Sequence, residues 1–195
     1  MLESLLVPTG IVTLAEIGDK TQLLALVLAA RFRKPWPIIA GIIVATLANH
    51  FAAGAVGNWI ADWLSPVVLH ALLAISFLAV AAWALIPDTL DENEGSRFKR
   101  HGAFITTLIA FFLAEMGDKT QIATVMLAAQ YPDFLMVVTG TTLGMLLANV
   151  PVVLAGNFAA QRLPLKLIHR LAALAFLLLG LYAGYRALQL AGLLG

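Results

Sequence analysis

Apolar residues run through most of this chain in long blocks, and polar positions gather in a few short interruptions. Six blocks, at about 5–30, 36–61, 67–87, 103–130, 134–160 and 166–191, reach the roughly 20 residues that a helix needs to cross a bilayer. The interruptions are Pro35 and Pro37, Ser65-Pro66, the charged stretch 88–101, Pro132-Asp133 and Leu163-Pro164. Proline just inside a helix start is well placed, because the N–H it lacks would be unpaired there. The blocks are far longer than the 9–11 residues of a barrel strand, and they do not alternate. The pattern predicts an all-α integral membrane protein with six transmembrane helices. The first block reads as a mature helix, since Glu3 is its only early charge and it lacks the basic start and small-residue cleavage site of a signal peptide.

Composition agrees. Of 195 residues, 61% are hydrophobic and 12% charged, against about 45–50% and 25% in soluble domains. Lipid is the solvent such a surface requires. A formal net charge of +1 is uninformative about nucleic acid, and no nucleic-acid partner is expected. The chain has no cysteine, so a bound metal would rest on oxygen or histidine ligands, which favours hard or borderline cations. Basic residues set the expected orientation. Arg31, Arg33 and Lys34, then Arg97, Lys99 and Arg100, then Arg162, Lys166 and Arg170 fall on one side, against Arg186 on the other. The odd-numbered loops are expected in the cytoplasm and both termini outside. The central loop begins acidic (Asp88, Asp91, Glu92, Glu94). It reads as a solvated linker, or else as a cation-attracting antechamber.

A shift of 99 residues lays the chain over itself. Ala15-Glu16-Ile17-Gly18-Asp19-Lys20-Thr21-Gln22 falls on Ala114-Glu115-Met116-Gly117-Asp118-Lys119-Thr120-Gln121. Leu28-Ala29-Ala30 falls on Leu127-Ala128-Ala129, Gly41 on Gly140, Gly57-Asn58 on Gly156-Asn157, and His70 on His169. After a one-residue gap, Leu47-Ala48-Asn49 falls on Leu147-Ala148-Asn149. The expected organisation is a three-helix repeat at 1–87, a charged cytoplasmic linker at 88–102 and a second repeat at 103–195. Three spans per half is an odd number, so the second half must enter the membrane inverted. Many secondary transporters are built this way, with the binding site near the midplane between repeats.

Both motifs fall near the middle of a predicted span, where ionisable groups are costly and are functional candidates by default. Glu16 and Asp19 stand three apart and share a helix face, with Lys20 at its edge and Gln22 extending the polar stripe. Gly18 and Gly117 permit close backbone approach or local unwinding. If the two motifs meet, Glu16, Asp19, Glu115 and Asp118 converge, and hard divalent cations prefer such oxygen surroundings. Against Lys20 and Lys119 they leave two negative charges, which one divalent cation would neutralise. Two protons would do the same, since crowded carboxylates favour the neutral form. The lysines would otherwise hold the carboxylates while the site is empty. A lone buried Glu–Lys pair would suit a structural tether, but two copies of the same seven-residue pattern exceed what a tether needs. Gln22 and Gln121 read as ligands or their supports. Asn49 and Asn149 would add neutral oxygens or bond between helices. Thr21 and Thr120 would bond to their own helix backbone. His70 and His169 read as interfacial or capping residues. Trp36, Trp59, Trp63 and Trp83 read as an interfacial belt, and Gly41, Ala45, Gly140 and Gly144 as helix-packing positions.

The two hexapeptides Glu16-Ile17-Gly18-Asp19-Lys20-Thr21 and Glu115-Met116-Gly117-Asp118-Lys119-Thr120, with a charged loop between the halves, resemble the GDT family of cation/proton exchangers. The resemblance covers nearly the whole chain, and a chain this short is similar to the bacterial members. It implies export of Mn2+ across a bacterial inner membrane, with Ca2+ as the second candidate ion, driven by inward proton movement. It also implies that the four acids form the cation site and carry the protons, and it calls for no cofactor. A passive cation channel with acidic rings is the competing reading. A membrane-embedded enzyme is disfavoured, because no Ser/His or zinc-type pattern accompanies the acids. The halves differ at Asn49-His50-Phe51 against Asn149-Val150-Pro151, so the two sides of the site need not be equivalent.

Overall fold

The computed structural model describes residues 1–86, 102–155 and 164–194. The charged stretch 88–101, Gly156-Asn157 and Arg162 lie outside them. All regular structure among the described residues is helical. In chain order the helices are α1 (Leu2–Glu16), α2 (Lys20–Phe32), α3 (Pro35–Trp63), α4 (Pro66–Trp83), α5 (Ala103–Glu115), α6 (Lys119–Gln130), α7 (Phe134–Ala155) and α8 (Leu165–Leu190). Pro35 and Pro66 open α3 and α4 at the positions where proline costs nothing.

Two of the six predicted spans are each broken in the middle. Block 5–30 is α1 followed by α2, and block 103–130 is α5 followed by α6. The break falls at the motif glycine in both, with φ +85° at Gly18 and +75° at Gly117. Side chains with a Cβ avoid that region, so glycine here allows the turn to unwind. Of the two roles open to these glycines in the sequence, the structure shows unwinding. Four helices, α3, α4, α7 and α8, are individually long and apolar enough to cross a membrane, and α5 is a shorter apolar helix. α1 and α2, with 15 and 13 residues, fall short of the roughly 20 required.

Helices pack chiefly across the two halves. α1 lies on α7, and its counterpart α5 lies on α3; α6 lies on α3, and its counterpart α2 on α7; α4 and α8 pair with each other. The contact of α5 with α3 passes through Gly41, where an added Cβ would stand 2.8 Å from Thr107 Cβ and 2.9 Å from the Phe104 carbonyl oxygen. The repeat-related Gly140 meets the Leu5 carbonyl and Thr9, and a Cβ on Gly144 would stand 2.7 Å from the Thr9 carbonyl oxygen. Small residues let these backbones approach. α3 and α7 are half or more buried, whereas α4 and α8 are largely exposed. Their outward leucines, among them Leu72, Leu174, Leu178 and Leu181, form a surface that belongs in hydrocarbon. Trp36, Trp59 and Trp63 are exposed near the ends of α3.

Candidate cation site

Each broken turn is closed by its own side chains. Asp19 is the N-cap of α2 and accepts from the Thr21 backbone N–H and hydroxyl, each at 3.4 Å. The Gln22 carboxamide oxygen reaches back to the Gly18 N–H at 2.9 Å. The second motif repeats the glutamine contact, with Gln121 accepting from the Gly117 N–H at 2.7 Å, while Asp118, the N-cap of α6, makes no side-chain capping bond. These are capping contacts of the kind that satisfy the free donors of a helix start. The threonine hydroxyls do not turn to their own helix backbone as expected. Thr120 donates to Glu115 at 2.5 Å and lies 3.2 Å from Asp118 Oδ2, because the unwound turn places both carboxylates beside it.

The acids are buried. Glu16, Asp19, Glu115 and Asp118 are at most 2% exposed, although the reason for their closeness is not the shared helix face. Glu16 ends α1 and Asp19 precedes α2, and a tight turn joins them through Asp19 N–H to the Glu16 carbonyl at 3.0 Å. The equivalent bond from Asp118 to Glu115 is 3.1 Å. Asp19 and Asp118 stand at helix N-termini, which favour anions. Glu16 and Glu115 stand at C-termini, whose partial negative charge favours a neighbouring cation.

The lysines also depart from the helical-face expectation. Neither pairs with the glutamate four residues before it. Lys119 Nζ lies 2.6 Å from Asp19 Oδ1, and Lys20 Nζ lies 3.1 Å from Asp118 Oδ1. Each half therefore lends its lysine to the aspartate of the other, and the crossed pairs bring the two motifs together. Lys119 is enclosed, whereas the Lys20 side chain is 25% exposed. A lysine amine thus sits on each aspartate. No three acidic or histidine side chains among the described residues stand close enough to enclose an ion here.

The remaining candidates divide. Gln22 donates to the Ala148 carbonyl at 2.9 Å, and Gln121 donates to Asn49 Oδ1. With their oxygens turned to the glycine N–H groups, both glutamines staple the break to the facing helix. Asn49 also reaches the Phe112 carbonyl at 3.4 Å and so acts between helices. Asn149 donates toward Glu16 Oε1 at 3.4 Å and to Met145. Glu16 Oε2, Glu115 Oε2 and Asn149 Oδ1 are buried without a hydrogen-bond partner. His70 bonds locally to the Pro66 carbonyl at 2.8 Å. His169 packs on the first broken turn, its Nε2 within 2.8 Å of a Cβ placed on Gly18, while nothing lies within 4 Å of the same point at Gly117. His50, not among the candidates, is fully buried with Nε2 3.4 Å from Glu115 Oε1. Its signal in the sequence was its place beside Asn49, where the other half carries Asn149 followed by Val150.

A helical, lipid-exposed chain with a duplicated, buried acidic motif at two broken helices belongs to the class of multi-pass membrane transporters. The particular family is the one described as divalent cation/proton antiporter GDT1, whose model matches residues 4–92 and again 103–191. The chain belongs to this family and is a transporter of divalent cations. It is 57% identical over 175 residues to a Vibrio cholerae protein named "Putative manganese exporter", covering 89% of this chain and 86% of that one. A GDT1-like protein of Synechocystis sp. is 27% identical over 188 residues, covering 86% and 90%. GDT1-like protein 5 of Arabidopsis thaliana is 25% identical over 205 residues, covering 86% and 89%. No solved structure matches the chain.

Proposed function

We propose that this protein exchanges Mn2+ for protons across a bacterial inner membrane, with Glu16, Asp19, Glu115 and Asp118 holding the ion and carrying the protons in its absence. The observation that carries the reading is the crossed pairing of Lys119 with Asp19 and Lys20 with Asp118. It joins both motifs in one buried centre, where Glu16 and Glu115 each keep an oxygen without a partner. An entering dication would take over the charge balance, and Lys20, the more exposed amine, would leave its aspartate first. On ion release, protons and lysines would restore neutrality. The name of the Vibrio cholerae relative supports Mn2+. Ca2+ is the alternative ion, since oxygen sites accept both.

In this reading α1 with α2, and α5 with α6, each make one interrupted span, giving six spans in two inverted halves at 1–87 and 103–195. The halves rock about the site, and both termini face outward. The test is transport in proteoliposomes under an imposed pH gradient, with Mn2+ and Ca2+ in separate runs and dyes for metal and pH read together. Metal is expected to move toward the acidic side while protons move the other way, and Glu115→Gln is expected to stop both. Metal flow indifferent to the pH gradient would make the protein a channel. No flow of either ion would remove this role from the acids.

A further inference from the structure

We propose that His50 is a ligand of the transported ion, and that it makes the site prefer a first-row transition dication over Ca2+. The proposal rests on the reading above, that the acids bind the ion. His50 lies on α3 with no exposed surface, and its Nε2 is 3.4 Å from Glu115 Oε1. Two atoms on neighbouring corners of an octahedron with bonds of about 2.1 Å stand about 3 Å apart. The imidazole nitrogen and the carboxylate oxygen are thus spaced as two ligands of one ion would be. In this arrangement the same pair makes a long hydrogen bond.

Packing does not account for a histidine here. The repeat places Val150 at the corresponding position of the other half, so an apolar side chain serves there. His50 Nδ1 has no hydrogen-bond partner, and Glu115 Oε2 has none either. A buried carboxylate oxygen left without a partner is costly, and an ion held between Glu115 and His50 Nε2 would supply one. The opposite glutamate, Glu16, faces the amide of Asn149 at 3.4 Å, so the centre has one nitrogen-bearing side and one all-oxygen side. Ca2+ takes oxygen ligands almost exclusively, whereas imidazole suits Fe, Ni, Cu and Zn, and affinity for a nitrogen-bearing site rises from Mn2+ along that row. One nitrogen among carboxylates therefore penalises Ca2+ most and Mn2+ less.

The experiment uses the full chain in proteoliposomes and measures how much Ca2+ is needed to halve Mn2+ uptake. His50→Val borrows the residue of the other half, and His50→Asn, smaller and polar, is run beside it. Both are expected to lower the required Ca2+ by about tenfold or more, the scale on which coordination changes act. An unchanged value in a variant that still transports Mn2+ would overturn the proposal. A second readout needs no variant to fold: pulsed paramagnetic resonance of Mn2+ bound to the wild-type protein should show nitrogen coupling from a coordinated imidazole. Its absence would overturn the proposal even where transport is normal. If the wild type transports neither ion, the proposed function fails, and that result is separate from either of these.

Discussion

At the residue scale the centre is a set of charges that have meaning only in pairs. Removing one partner of a buried ion pair strands the other and costs about 3–5 kcal/mol. Lys119→Met should therefore lower the thermal midpoint in detergent markedly, because it strands Asp19, which has no exposed surface. Adding Asp19→Asn should recover most of that loss. Lys20→Met should cost less, since its side chain is 25% exposed and water can share its role. Equal losses for the two lysines, or no recovery in the double variant, would count against the crossed pairing. The burial of the acids was legible in the sequence, because the same seven-residue pattern occurs twice within long apolar blocks. Their partners were not. Helical spacing pointed Lys20 at Glu16, four residues away, and a local rule has no means of finding Asp118 in the other half.

At the element scale, the broken helices are what the glycines make possible. Both sit at positive φ, where alanine costs about 1–2 kcal/mol. Their surroundings differ. A Cβ on Gly18 would stand 2.8 Å from His169 Nε2 and 2.9 Å from Leu165 Cδ2, while at Gly117 the space is open. Gly18→Ala should thus lower stability and transport more than Gly117→Ala, as melting and uptake measured side by side will show; equal effects would mean that strain alone matters. The sequence permitted a break without requiring one, since a glycine inside an apolar run is compatible with a continuous helix. Both breaks share a glutamine that accepts from the glycine N–H, and only the first adds a side-chain cap, from Asp19 to the Thr21 N–H. In the sequence Asp19, Asp118, Gln22 and Gln121 drew notice for the oxygens they could lend an ion, and nothing there marked them as the start of a second helix.

At the scale of the whole molecule, the repeat was legible and the interlocking was not. α1 rests on α7 and α5 on α3, so each half completes its packing with the other's helices. Sequence self-similarity says that two halves exist, but not which surfaces they share. A chain cut within 88–101 should accordingly work only when both pieces are made together. Either piece alone should be degraded and should give no metal export above background in cells challenged with Mn2+. Independent accumulation of one folded half, resistant to protease, would contradict this.

The crossed Lys20–Asp118 and Lys119–Asp19 pairs also bear on ancestry. Each half gives away one amine and receives one. Two copies of a single half, set against each other as the halves are here, would hold both pairs with no residue changed. A gene for one half would then be enough for a paired centre, and joining two halves in one chain allows something else. It lets them differ, so that one carries His50 where the other carries Val150, a difference that an assembly of identical halves is unable to hold.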